Sequence, residues 1–194
     1  MARKGLNYED IIKVAVMMVE EKGDVDISLR ELAGRLGVQP SSLYNHVTGI
    51  GDIQTAVGKY GIDRMEQILL PAIEGKSMDD ALRDLAHAYR KFARERPGLY
   101  EALIELKTFG NPTLVHELHR IIRPFFAVLK YELTNEEKIV HYGRIYRGML
   151  HGMVSMENNG YMVRTDVPLD DTFAFMIEQY IKMVHQEIDN RGNE

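Results

Sequence analysis

The chain has 194 residues, a formal net charge of −5 and no cysteine, so a disulfide framework, a CxxC zinc site and a thiol nucleophile are excluded. The absence of cysteine fits the reducing cytoplasm, which is the expected location. With 45% hydrophobic residues the chain can bury an ordinary core, so we expect a globular protein. No run reaches the roughly 18 apolar residues of a membrane helix, so no membrane partner is expected. The acidic balance, taken alone, argues against nucleic acid, since phosphate binding usually requires a basic protein.

Apolar residues recur at helical spacing along nearly the whole chain, which predicts an all-α fold of about nine helices. The first helix is expected to begin after Asn7, a candidate N-cap, and to end at Gly23. Ser28 and Glu31 have the spacing of a capping box that opens the second helix. Gly37 is placed to end that helix in a left-handed conformation.

The third helix is short, from about Pro40 to Val47, because proline is favoured at the first helical position. The fourth is expected to run from Ile50 towards Leu70, where Pro71 interrupts the pattern. Later helices are predicted over 81–96, 99–107, 113–131 with a kink at Pro124, 134–159 with a capping box at Thr134 and Glu137, and 173–188.

The second helix, the turn at Gly37 and the third helix have the spacing of a helix-turn-helix, whose second helix lies in the major groove of DNA. Leu43 and Val47 are four residues apart and are expected to pack on the second helix, which directs the polar residues of 40–47 outward. A generic helical hairpin with solvated polar residues produces the same spacing, so spacing alone leaves both interpretations open.

The ordered stretch ISLRELAGRLGVQPSSLYNHV, residues 27–47, resembles the DNA-binding signature of the TetR family of bacterial transcriptional regulators. The resemblance covers about 7–53 and implies DNA-backbone contacts from Tyr44 and His46 and a phosphate contact from Ser28. It implies base-facing positions for Pro40, Ser41, Ser42 and Asn45, and a position from which Arg30 can reach a base. The predicted DNA-binding residues are Ser28, Arg30, Pro40, Ser41, Ser42, Tyr44, Asn45, His46 and Thr48.

One position departs from the family pattern. A lysine that contacts phosphate is usual at the start of the fourth helix, and this chain has Ile50 there. We expect Thr48 and backbone amides to substitute for that lysine, with specificity depending on polar and apolar base contacts more than on charge. The dependence of DNA affinity on salt should therefore be shallow.

The resemblance also implies a division into a DNA-binding domain over 1–50 and a helical effector-binding and dimerisation domain over 51–194. His151 and Gly152 resemble the His-Gly pair of one C-terminal subtype, the WHG subtype, although its tryptophan is absent. Glycine inside a helix costs roughly 1 kcal/mol relative to alanine, so Gly148 and Gly152 indicate close packing, within one chain or between two.

A homodimer is expected, because reading a palindromic operator requires two heads about 34 to 36 Å apart. The residues assigned to its interface are Gly148, Gly152, Phe173, Ile177, Tyr180, Ile181 and Val184.

Methionine and aromatic residues at helical spacing in the second domain form either plain core or an effector pocket. If a pocket is present, flexible thioethers and a few polar groups favour a small, largely apolar molecule. The candidate pocket residues are Tyr89, Phe92, Phe109, Tyr142, Tyr146, Met149, His151 and Met153.

No catalytic constellation, cofactor motif or metal site is expected. His116 and His119 share a helix face, but they lack the spacing of HExxH, so solvated histidines are the simpler interpretation. The sequence thus favours a DNA-binding repressor, not an enzyme. A small, largely apolar effector is expected to release it from its double-stranded DNA operator by shifting the separation of the two DNA-binding heads. The alternatives are a DNA-binding regulator without an effector, and a helical ligand carrier or enzyme.

Overall fold

The computed structural model describes residues 6–106, 112–163 and 166–191, and regular structure in these ranges is helical throughout. The predicted all-α fold of about nine helices is confirmed. No helix in the described ranges combines the length and the apolar character that crossing a membrane requires. The nine described helices are α1 (Tyr8–Lys22), α2 (Leu29–Leu36), α3 (Pro40–Leu43), α4 (Ile50–Ile73), α5 (Met78–Glu95), α6 (Pro97–Glu105), α7 (Pro112–Leu129), α8 (Glu136–Asn158) and α9 (Leu169–Arg191).

The ends of α1 and α2 follow the predicted capping residues. The Asn7 side chain accepts a hydrogen bond from the backbone N–H of Asp10 at 2.8 Å, and Gly23 closes α1 with a φ of 69°. Ser28 and Glu31 form both bonds of the capping box, and Gly37 closes α2 with a φ of 67°. A side chain at either glycine would strain this left-handed backbone.

Helix α3 is shorter than predicted. It ends at Leu43, whose carbonyl oxygen accepts hydrogen bonds from the backbone N–H groups of both His46 and Val47, at 2.9 and 3.0 Å. This shared acceptor closes a turn over residues 44–46, so the prediction of a helix to Val47 was wrong in its second half. The turn still returns Val47 to the core, where it is 3% exposed.

Several other helix ends also differ from the prediction by a few residues, and two of them have a clear local cause. Helix α4 continues past Pro71 to Ile73, because an interior proline removes one backbone donor while the buried Leu69 and Ile73 still anchor the helix. Helix α8 is capped by Asn135, whose side chain accepts from the backbone N–H of Lys138 at 3.0 Å. The cap therefore lies one residue after the predicted Thr134. The residue three positions after this cap is Lys138, which bonds through its backbone N–H, so the prediction of a capping box at Thr134 and Glu137 was wrong.

The chain forms two compact units, Met1–Met65 with Glu95–His119, and Glu66–Arg94 with Arg120–Glu194. In the first unit α6 packs closely on α1. A Cβ atom on Gly98 would collide with the backbone carbonyl of Val19, so only glycine permits this approach. An ion pair between Arg96 and Glu20 lies beside the same contact.

Candidate nucleic-acid interface

The segment after Gly37 separates its apolar and polar side chains. Leu43 is fully buried and Val47 is 3% exposed, whereas Tyr44 is 60% exposed. The predicted DNA-contact residues that are exposed with Tyr44 are Ser28, Arg30, Pro40, Ser41, Asn45, His46 and Thr48, while Ser42 is half-buried. The predicted contact residues thus lie on the surface of the first unit, held there by two core anchors.

The turn between α2 and α3 is held by backbone hydrogen bonds. The N–H of Gly37 donates to the carbonyl of Gly34 at 3.2 Å, and the N–H of Val38 donates to the carbonyl of Ala33 at 3.0 Å. These bonds satisfy carbonyl groups that the end of α2 would otherwise leave without partners. The orientation of α3 relative to α2 is therefore set by the main chain as well as by Leu43.

Ser28 is already engaged as the cap of α2. Its hydroxyl donates to Oε2 of Glu31 at 2.6 Å and accepts from the Glu31 backbone N–H at 3.2 Å. Hydrogen bonds from the side chain and backbone of Ser28 lower the pKa of the Glu31 carboxyl below its ordinary value. A phosphate contact by Ser28 would require the hydroxyl to exchange one partner for another.

The backbone amide of Thr48 is also engaged. It donates to Oδ2 of Asp52 at 3.2 Å, while the Tyr8 hydroxyl donates to Oδ1 of the same carboxylate at 3.4 Å. Burial, and then the charge of Asp52, raise the pKa of Tyr8. Ile50 occupies the position of the family's lysine, and the Thr48 amide was expected to replace its phosphate contact. That amide is already bonded to the acidic side chain of Asp52.

Asp52 was missed in the sequence, although an acidic residue in the first turn of a helix is a common capping signal. Arg30, by contrast, forms no ion pair with any part of the chain that the structure describes, while Arg35 pairs with Glu21. An exposed guanidinium without an internal carboxylate remains available for phosphate or a base edge.

The predicted effector residues lie mainly in the core of the second unit. Tyr146 is fully buried, stacks on Tyr180 with ring centroids 4.4 Å apart, and donates its hydroxyl to the backbone carbonyl of Leu82. Phe125 meets both Tyr89 and Tyr146 edge to face at 5.9 Å. Phe92 and Met153 are buried, Tyr142, Met149 and His151 are half-buried, and Phe109 lies outside the described residues. In this conformation the rings of Tyr89, Phe125, Tyr146 and Tyr180 form a connected series of contacts.

The assignment of α9 residues to a dimer interface requires a correction. Phe173, Ile177, Tyr180, Ile181 and Val184 are at most 3% exposed in the single chain. They fill the core of their own protomer and leave no surface for a second copy.

The two glycines on α8 that were assigned to the dimer interface are, unlike the α9 residues, accessible to solvent. Gly148 is exposed and Gly152 is half-buried, and a Cβ on either would meet no other heavy atom within 4 Å. Three large apolar side chains are also exposed on α8 and α9. They are Ile145 and Met156 on α8, each 44% exposed, and Phe175 on α9, 64% exposed. Met156 belongs to the methionine stripe that the sequence suggested for a core or a pocket, whereas Ile145 and Phe175 lie outside the predicted apolar stripes.

The His116 and His119 rings on α7 have centroids 6.2 Å apart, and both side chains are exposed. Among the described residues, no three or more histidine or carboxylate side chains come together as a metal site would require.

The geometry can be compared with known proteins. Residues 82–180 match the family model described as "Tetracyclin repressor-like, C-terminal domain". Rv0681 of Mycobacterium tuberculosis, named an uncharacterised HTH-type transcriptional regulator, is 30% identical over 89% of this chain and 78% of its own length. The chain belongs to the TetR family. As a member, it is a DNA-binding transcriptional regulator.

Solved structures show the same TetR-family fold. BioQ, solved with its natural double-stranded DNA operator, superposes with a TM-score of 0.68 at 16% identity, covering 93% of this chain and 98% of BioQ. A TetR variant from Acinetobacter baumannii AYE in complex with minocycline gives a TM-score of 0.69 at 19% identity, covering 94% and 98%. The family model that matches residues 82–180 describes a TetR-like C-terminal domain and does not name the WHG subtype, so assignment to that subtype remains a prediction.

Proposed function

We propose that this TetR-family protein is a repressor that binds a palindromic operator as a homodimer and is released by a small, largely apolar ligand. The observation that carries the proposal is the division of residues 40–47, with Leu43 and Val47 buried and their polar neighbours exposed. The operator in the BioQ structure and the minocycline in the TetR variant support the two ligand classes by fold likeness alone. We place the protein in the cytoplasm and assign it no enzymatic activity.

In the proposed complex, residues 1–50 form the DNA-binding domain, and the segment from Pro40 enters the major groove. Ser41, Ser42 and Asn45 face base edges, where small hydroxyl and amide groups donate and accept hydrogen bonds. Tyr44 and His46 contact the sugar-phosphate backbone, which positions the protein without reading sequence.

The proposed dimer surface combines the exposed apolar faces of α8 and α9. Ile145, Gly152 and Met156 recur at intervals of seven and four residues, so they share one side of α8. Phe175 adds a side chain that is 64% exposed near the start of α9. In a two-fold dimer each copy presents the same patch, so this surface would cover its own exposed apolar residues. The helical effector and dimerisation domain, residues 51–194, supplies it.

Operator selection from random duplexes tests the DNA-binding proposal. Asn45→Ala and Ser42→Ala should each relax the preference at particular base pairs, because one good base contact provides about 1–3 kcal/mol of discrimination. Glu132→Ala, an exposed position after α7 in the second unit, is the control and should leave the selected sequence unchanged. Indifference to sequence in the wild type, or no duplex binding, would overturn the proposal.

Thermal-shift screening of lipophilic compounds tests the effector. A true inducer raises the melting temperature by binding the folded state and also releases the operator, since it must prefer the state that does not bind DNA. A reporter placed downstream of the selected operator should be more active when the regulator is absent. Lower reporter activity without the protein would indicate activation.

A further inference from the structure

A second candidate site lies on the surface of the second unit, between α7 and α8. It is a groove of about 180 Å³ lined by Phe126 from α7 and by Arg144, Arg147, Gly148 and His151 from α8. Drug-sized ligand pockets are usually about 300–1,000 Å³, so this groove suits a molecule of roughly one ring and one functional group.

The two arginines of the groove lack internal counter-charges. Neither Arg144 nor Arg147 forms an ion pair or hydrogen bond with any part of the chain that the structure describes. Most other described arginines of the second unit form ion pairs with carboxylates, as Arg83, Arg90, Arg94 and Arg120 do. In a protein of net charge −5, two adjacent guanidinium groups without carboxylates mark a local site for an external anion.

Helical geometry separates this groove from both the core and the proposed dimer surface. At about 100° per residue, Arg144, Arg147 and His151 share one side of α8, whereas the buried Tyr146 and Leu150 lie on another. The exposed face of Ile145 and Met156 forms a third side, and Gly148 lies at the border between it and the groove. The groove is therefore open to solvent in the single chain and flanks the face proposed for dimerisation.

Phe126 provides the apolar wall of the groove. Its ring lies against α8, where a Cβ on Gly143 would come within 2.5 Å of Cδ1, so glycine at that position lets the ring approach the helix. The Phe126 side chain is half-buried, and its exposed part borders the arginines. An aromatic ring next to a planar guanidinium pair matches a ligand that combines an aromatic ring with an acid group.

His151 adds a polar group that is neutral in the free groove. Burial, and then the charge of Arg147, lower the pKa of its imidazole. A neutral imidazole adds no further positive charge beside Arg147.

We propose that the groove between α7 and α8 binds a small aromatic carboxylate, with Arg144 and Arg147 holding the carboxylate and Phe126 packing on the ring. This site is separate from the buried aromatic residues of the second unit. The inference goes beyond the proposed repressor function, because DNA binding by the first unit does not depend on it.

Isothermal titration of the full-length protein with benzoate, benzamide and sulfate tests the proposal. Benzoate should bind saturably, whereas benzamide has the same ring without the charge and sulfate has charge without the ring. Both should bind at least about tenfold more weakly, because benzamide loses the charge-assisted contact and sulfate loses the packing on Phe126. Equal binding of benzoate and benzamide, or no benzoate binding, would overturn the proposal.

Three variants locate the binding. Arg147→Gln should weaken benzoate binding about tenfold or more, and Lys182→Gln, which removes an exposed cation of α9 outside the groove, should not. Gly148→Met adds a side chain where a Cβ meets no other heavy atom, so it should block the groove without unfolding the chain. Benzoate binding by Gly148→Met at wild-type affinity would contradict this location.

Sedimentation of the same variants separates a ligand groove from an interface. Arg147→Gln should keep the wild-type oligomeric state, and its dissociation would show that a second copy occupies the groove, which overturns the proposal. Operator binding is measured in parallel. If the protein binds its operator but not benzoate, only this inference is wrong. If it binds benzoate but not an operator, only the proposed repressor function is wrong.

Discussion

Arg90 and Glu157 form a two-point ion pair inside the second unit, with Nε to Oε2 at 2.8 Å and Nη2 to Oε1 at 2.9 Å. Arg90 is 5% exposed, and its guanidinium also meets Asp170 at 2.8 Å and the ring of Phe173 at 4.5 Å. The cluster joins α5, the end of α8 and the start of α9. At its centre, the planar guanidinium of Arg90 contacts two carboxylates and one aromatic ring. These directional contacts favour one arrangement of the three helices.

Replacing Arg90 with methionine should therefore destabilise the fold strongly. The change leaves the nearly buried Glu157 carboxylate with only the more distant Arg94, 3.6 Å away, and breaking a buried pair costs about 3–5 kcal/mol. Urea denaturation measures the loss. Arg83→Met, at the more exposed pair with Glu178, is the control and should cost about 1 kcal/mol or less. A similar loss in both variants would contradict the special role of the Arg90 cluster.

Gly98→Ala should destabilise the first unit, because the added Cβ collides with the backbone carbonyl of Val19 and forces α6 away from α1. Overpacking of this kind typically costs about 1–3 kcal/mol. Gly34→Ala is the matched control, since a Cβ there meets no heavy atom within 4 Å. That change in α2 should stabilise the protein by up to about 1 kcal/mol through helix propensity. Thermal unfolding of the pair should give melting temperatures on opposite sides of the wild type.

Ile50→Lys should strengthen operator binding and make it more sensitive to salt. A lysine at this position adds one phosphate contact per head, and each contact steepens the slope of log affinity against log salt by about 0.9. Ile104→Lys, a position that is 37% exposed on α6, adds the same charge elsewhere and is the control. The wild-type slope should be shallower than that of a protein with about 6 to 10 phosphate contacts. A wild-type slope already that steep would disprove weak phosphate binding.

His151 should titrate below its ordinary pKa of 6.5, because burial and then the charge of Arg147 disfavour its protonated form. The folded state then binds fewer protons than the unfolded state, so this contribution to stability is present above pH 6.5 and is lost as pH falls through the folded pKa. NMR titration of the imidazole gives the value. Arg147→Gln should move the midpoint upward, and a wild-type midpoint at or above 6.5 would contradict the cause assigned here.

Local signals determined most of the helical pattern. Asn7, Ser28, Gly23 and Gly37 each act through hydrogen bonds or backbone angles within a few residues, so the ends of α1 and α2 could be predicted from neighbouring residues. The exposure of the polar residues on either side of Tyr44 could also be predicted from neighbouring residues. Leu43 and Val47 lie four residues apart, and their burial leaves the other side of the segment to solvent.

The end of α3 could not be predicted in the same way. A helix and a turn over residues 44–46 both return Val47 to the core, so the apolar spacing is the same for either. Nor did any local pattern show that the Thr48 amide bonds to Asp52, or that Tyr8 reaches the same carboxylate from α1, 44 residues away in the chain.

The sequence by itself determined that this protein is helical, where α1 and α2 begin and end, and which short segment carries the polar residues that face DNA. Only the tertiary structure decided what each apolar face meets. The stripe from Phe173 to Val184 is buried in its own chain, and Arg90 finds Glu157 across 67 residues. The physical reason is that periodicity reports which side of a helix avoids water, whereas the partner on that side depends on how distant segments pack.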